Sequence, residues 1–131
     1  MTKGVKDGKV ILYLAPHELM KFMTFRIGEN NKKVFVFDIN GNIIGIDKKT
    51  GEREIYKPIY DKRKGYGEPR VKIGNRKYSI KGLITKKLFM NVKDYHILKV
   101  HRFDENVTNN AITNFYIDIT TDDVDTRVGK R

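Results

Sequence analysis

Residues 96–122, HILKVHRFDENVTNNAITNFYIDITTD, hold the side chains best suited to chemistry. His101 and Arg102 follow an apolar run of Ile97, Leu98 and Val100. Asp104, Asn106, Asn109 and Asn110 crowd the next turn, and Asn114 stands at the head of a second run, Phe115-Tyr116-Ile117-Asp118-Ile119. A neutral imidazole can accept a proton or bind a divalent metal. A guanidinium stays protonated at any working pH, so Arg102 cannot serve as a base. It can grip a phosphate through two parallel hydrogen bonds. Elsewhere the signals are weaker. His17 and His96 share no metal-ligand spacing with His101, and Gly65-x-Gly67 lacks the helix that a phosphate loop needs.

Charge is the strongest bulk signal. The chain has 131 residues, with 27 Lys and Arg against 16 acids, a net charge of +11. Residues 61–100 alone carry twelve of the bases (Lys62, Arg63, Lys64, Arg70, Lys72, Arg76, Lys77, Lys81, Lys86, Lys87, Lys93 and Lys99) against Asp61, Glu68 and Asp94. Such a surface attracts a polyanion, because neutralised phosphates release their counterions. DNA is the expected partner. Cysteine is absent, which rules out disulfides and thiolate metal sites. No run is long and apolar enough for a membrane span, and MTKGVKDGK lacks the apolar middle of a signal peptide. A cytoplasmic location, the host cytoplasm if the protein is viral, is expected, with no membrane partner.

The elements that would position these groups read as follows. KVILYL at 9–14 predicts a strand. Pro16 can open a helix, and HELMKFMTF at 17–25 has roughly helical apolar spacing. KVFVF at 33–37 and IIGI at 43–46 flank Asn40-Gly41, a tight-hairpin signal. A third strand is expected over 53–59, limited by Pro58. Val71/Ile73 and Tyr78/Ile80 alternate with polar residues, predicting a hairpin with one apolar and one basic face. Leu83, Ile84 and Leu88 suit a helix packed on a sheet. Two short strands around the Asn-rich loop, followed by a Thr/Asp-led segment, suggest a strand–strand–helix finger. The expected fold is therefore α+β: antiparallel hairpins with a packed helix, plus a C-terminal ββα finger. The expected core is Phe35, Phe37, Ile44, Val71, Ile73, Leu83, Ile84, Leu98, Val100, Phe115 and Ile117. Tyr56, Tyr60, Tyr66 and Tyr78 lie among the bases and could stack on nucleobases.

The stretch from His101 to Phe115 resembles the core of the HNH homing endonucleases of the intron-encoded phage type. Asp104, Asn106, Asn109, Asn110 and Asn114 keep that family's frame. Two further stretches fit the same order: Phe37 to Gly45, and Gly65-Tyr66 through Lys77-x-x-Ile80 to Phe89. Together they cover about residues 33–122. The resemblance implies an N-terminal helix and β-hairpin module at 1–60 and an HNH-like ββα core at 61–131. It puts Arg102 in the slot of the catalytic histidine, Asn114 in that of the positioning asparagine, and His101 in a metal-ligand slot. The second ligand falls on Asp123, or on Val124 if one extra residue in the preceding phrase shifts the slot. The implied cofactor is a divalent metal, magnesium or manganese, or none if activity is lost. Lys81 and Gly82 also replace the family's His and Arg.

With Arg102 in the base position, the expectation is a basic phage-type nucleic-acid-binding protein with weakened or lost nuclease activity. Lys62, Arg63, Lys64, Arg70, Lys72, Arg76, Lys77, Lys81, Lys86, Lys87 and Arg102 would contact the nucleic acid. Two alternatives stay open: an active metal-dependent nickase with His101 as its base, and a small phage inhibitor that binds a host protein.

Overall fold

The computed structural model describes residues 1–20, 22–60 and 67–119. Ten strands form three antiparallel sheets. The first joins β1 (Thr2–Lys6), β2 (Lys9–Tyr13), β10 (Phe115–Asp118) and β9 (Val100–Arg102), in that order. The second runs β3 (Thr24–Glu29), β4 (Lys33–Asp38), β5 (Ile43–Asp47) and β6 (Arg53–Tyr56). The third is the hairpin of β7 (Arg70–Ile73) and β8 (Arg76–Ser79). α1 (Ile80–Phe89) is the α-helix of the described residues, and it packs against β3 and β8.

This architecture corrects the α+β expectation. The described residues are predominantly antiparallel β with one short α-helix. β9 and β10 do pair, Phe115 with Arg102 and Ile117 with Val100. They do not stand as a finger, because β2 takes the other edge of β10, with Tyr116 opposite Tyr13 and Asp118 opposite Ile11. Among the described residues no ββα finger is evident. Sheet pairing between residues about 100 positions apart cannot be read from local pattern.

The expected helix at 17–25 is also replaced. Pro16–Glu18 makes a single 3-10 turn, and β3 begins at Thr24. The apolar residues do not form one face: Leu19 and Phe25 pack on the core, while Met20 and Phe22 are exposed. Phe22 moreover has φ +65°, outside the helical region.

The remaining elements follow local chemistry. Asp38-Ile39-Asn40-Gly41-Asn42 turns β4 into β5, with Asp38 Oδ1 accepting from the amides of Asn40 and Asn42 at 2.9 Å each. β6 ends before Pro58, and Ile59 bridges to Arg70. Ser79 caps α1, its hydroxyl accepting from the Gly82 amide at 3.0 Å.

One core draws on the whole chain: Leu14, Phe37, Ile43, Val71, Ile80, Ile84, Phe89, Ile112, Phe115, Ile117 and Ile119. Of the positions expected inside, Phe35, Phe37, Ile44, Val71, Ile84, Phe115 and Ile117 are buried. Ile73, Leu83, Leu98 and Val100 pack partly buried against the cluster.

β1 is held at its start by Glu18. Its carboxylate accepts from the Thr2 hydroxyl at 2.5 Å and the Ala15 amide at 2.9 Å, and pairs with the Met1 amino group at 3.1 Å. The Thr2 hydrogen bond, then that of Ala15 and the amino group, hold its pKa down at about 2, against an ordinary 4.5. A depressed carboxylate stabilises the fold above its unfolded pKa and loses that contribution as pH falls through the folded one. Protection factors of the β1 amides are therefore expected to fall between about pH 4.5 and 2. Glu18→Gln should leave Thr2–Lys6 poorly protected already at about pH 5, with protection factors insensitive to this range. Unchanged protection in that variant would show that Glu18 does not hold the strand.

Candidate nucleic-acid interface

The Asn-rich turn between β9 and β10 is a closed polar network. Asp104 accepts from the Asn106 amide at 2.9 Å, from Asn109 Nδ2 at 2.7 Å and from Asn114 Nδ2 at 2.8 Å. These bonds, that of Asn106 first, hold its carboxyl below the usual range. Asn114 also donates to the Asn109 carbonyl at 3.0 Å, and its Oδ1 accepts from the Asp104 amide at 3.3 Å. Asn114 thus positions the turn itself.

Arg102 is bonded within the protein. It is buried at 6% exposure. Nη1 and Nη2 donate to the Glu68 carboxylate at 2.7 and 3.2 Å, Nη2 to Asn110 Oδ1 at 2.7 Å, and Nε to the Asn109 carbonyl at 3.3 Å. Its guanidinium lies over the Phe115 ring, 5.1 Å from the centroid. The fork that was expected to grip phosphate holds Glu68 instead. Glu68 is 34 positions away, a partner that no local motif marks.

His101 faces the other way. Its ring stacks on Tyr116 at 5.2 Å. Burial pushes its pKa down, with the charges of Lys81, Lys99 and Lys9 adding and Asp118 opposing. A divalent ion beside His101 would feel those same lysines. Asp118, the nearby carboxylate, is 3.7 Å from Lys9. Asp123 lies outside the described residues. Among the described residues no group of three His, Cys, Asp or Glu side chains converges.

The predicted contact residues separate by partner. Lys62, Arg63 and Lys64 lie outside the described residues. Lys72 and Lys77 stand directly opposite each other on β7 and β8, both exposed. Arg76 is exposed beside them, and Arg70 is half-buried. Lys81 is half-buried on α1, while Lys86 and Lys87 are exposed in its last turn. Elsewhere several cations meet acids. Arg26 and Lys48 pair with Glu29, Lys33 with Glu54, Lys6 with Asp7 and Lys9 with Asp118. Among the described residues, Lys72, Arg76, Lys77, Lys81, Lys86 and Lys87 share no ion pair.

Beside these cations lies an open groove of about 420 Å³ between β3 and α1. Ile27, Tyr78, Leu83 and Met90 form its apolar wall, and Arg26, Lys86 and Lys87 its charged one. Of the tyrosines expected to stack on bases, Tyr78 lines this groove, whereas Tyr56 sits in the second sheet near Phe35, at 6.1 Å between centroids. No family model matches the chain, and no curated protein or solved structure does. No described helix is long and apolar enough to cross a membrane.

Proposed function

We propose that this chain binds nucleic acid through the β7–β8 hairpin and α1, without cleaving it. The observation that carries this reading is the concentration of charge. Among the described residues, the hairpin–helix unit gathers six cations, Lys72, Arg76, Lys77, Lys81, Lys86 and Lys87, that share no ion pair. Lys72 opposite Lys77 is a like-charge cross-strand pair, which costs stability by itself. A phosphate backbone would turn that cost into attraction. Cleavage is left out because the base slot holds a guanidinium already bound to Glu68.

Affinity is expected to fall on the order of 100-fold or more between 50 and 200 mM salt, as roughly five phosphate contacts require. Combined Lys72→Ala, Arg76→Ala and Lys86→Ala should weaken binding evenly across sequences and flatten the salt slope by about three contacts. Titration of labelled duplex and single strands by fluorescence anisotropy reads both. Binding that ignores salt, or none to either ligand, would refute the proposal.

A second reading, capture of a host protein, rests on Met20, Phe22 and Ile55, which are 71%, 84% and 62% exposed. Exposed apolar side chains of this size are typical anchors of protein interfaces.

A further inference from the structure

The outer face of the first sheet carries four aromatic rings. Tyr116 on β10 is the register partner of both Tyr13 on β2 and His101 on β9, so the three emerge on one side. Phe103 extends the row, with its ring 4.6 Å from Tyr116 and 5.5 Å from Tyr13. The His101 and Tyr116 rings are nearly parallel, 25° apart. Phe115 and Ile117, the neighbours of Tyr116 along β10, point to the opposite side and are fully buried in the core. The aromatic row therefore faces away from the core, and each ring is half-buried. The Tyr13 ring comes close to β1 at Gly4, which leaves it room: a Cβ there would sit 3.0 Å from the ring.

Charge surrounds the row. Lys6 Nζ lies 5.8 Å from the Tyr116 centroid, and Lys9, Lys81 and Lys99 are close enough to act on the His101 ring. Lys81 belongs to α1, so this face adjoins the cations of the hairpin–helix unit. Rings spread over adjacent strands, with ammonium groups at their edges, match a flexible strand whose bases are unpaired. Each base offers a face to a ring, and the phosphates between bases meet the lysines. A duplex keeps its base faces stacked inside and could use only the lysines.

We propose that the outer face of the β1-β2-β10-β9 sheet binds unpaired nucleobases, with Tyr116, Phe103, Tyr13 and His101 as the stacking platform, so that the protein prefers single-stranded to duplex nucleic acid. This rests on the nucleic-acid reading above and adds the ligand class and a second contact surface. Recognition here is by stacking and tolerates any base sequence.

The test compares an unstructured 20-nucleotide strand with a hairpin duplex, each titrated into the full chain and into Tyr116→Leu and Tyr116→Phe. Wild type is expected to bind the strand more tightly. Tyr116→Leu should weaken the strand about 10-fold, the loss of one stacked base, with the salt slope unchanged, and Tyr116→Phe should restore it. Equal losses for strand and duplex, or no loss for the strand, would overturn the platform. The charge-based reading would survive that result if the triple Lys/Arg variant still lost salt-sensitive binding, and would fall with the platform if wild type bound neither ligand. A strand carrying 5-bromouracil, photocrosslinked to the wild-type protein, gives a readout that needs no variant to fold. Adducts on Tyr13, His101, Phe103 or Tyr116 support the proposal; adducts confined to other residues, or none, refute it.

Discussion

Gly41→Ala is expected to destabilise the fold by about 4 kcal/mol and lower its melting temperature by more than about 10 °C. Two causes combine. Gly41 has φ +82°, where a side chain costs about 1–3 kcal/mol. Its α-carbon also lies against the Asn110 backbone. An added Cβ would come within 2.5 Å of the Asn110 carbonyl carbon and 2.7 Å of its Cβ, inside the 3.0 Å that real Cβ atoms respect. Asn110 cannot retreat freely, because its side chain accepts from Arg102 and the next turn is tied to Ile39 through the Ile112 amide at 3.0 Å. The turn of the second sheet is thus keyed into the Asn-rich loop of the first. Gly74→Ala is the control: its φ is +64°, with nothing within 4 Å of an added Cβ, so it should show the backbone strain alone. A Gly41→Ala melting temperature equal to that of Gly74→Ala would remove the keyed contact from the account.

Arg102→Ala should cost about 3 kcal/mol, the lower end of the range for a broken buried ion pair, because the Glu68 side chain keeps 32% exposure while that of Arg102 keeps 4%. The guanidinium closes the Asn-rich loop onto the residues leading into β7, so its loss leaves Asn110 Oδ1, the Asn109 carbonyl and the Glu68 carboxylate without their donor. Arg102→Met combined with Glu68→Leu should recover part of the loss, since apolar groups of similar volume can replace such a pair at little cost while Asn110 Oδ1 stays without its donor. Denaturant titration measures both variants. The sequence resemblance had implied a phosphate clamp at Arg102. A variant of full stability that loses nucleic-acid affinity would bring that role back and show that Glu68 releases the guanidinium to a phosphate. Arg102→His, which places an imidazole where the resemblance implies a base, is expected to lose stability, because the imidazole cannot reproduce the four hydrogen bonds of the guanidinium.

Local pattern was enough for the hairpins at Asn40-Gly41 and Gly74-Asn75, the helix of Leu83, Ile84 and Leu88 and the strand at Phe115, because turn chemistry and apolar periodicity act within a few residues, though Ile80, read as strand, opens the helix behind Ser79. It misled at 17–25. There, roughly helical spacing lacked a common buried face, and β3 took Phe25 into the core. It could not show that β2 joins β10, and so it read β9 and β10 as an independent finger. The bases of residues 72–87 were evident from composition alone. Which of the protein's cations are left without an acid is a matter of distances across sheets. The same holds for the site. His101 and Arg102 are neighbours in sequence, and strand alternation sends one to the outer aromatic face and the other inward to Glu68. Tyr13 and Phe103 gave only a faint sign, aromatic residues at positions that alternation would leave to polar ones. The chemical types were therefore set by the chain itself. Which surface each side chain serves was decided by strand pairing over some hundred residues, because a β-sheet assigns faces only once register is known.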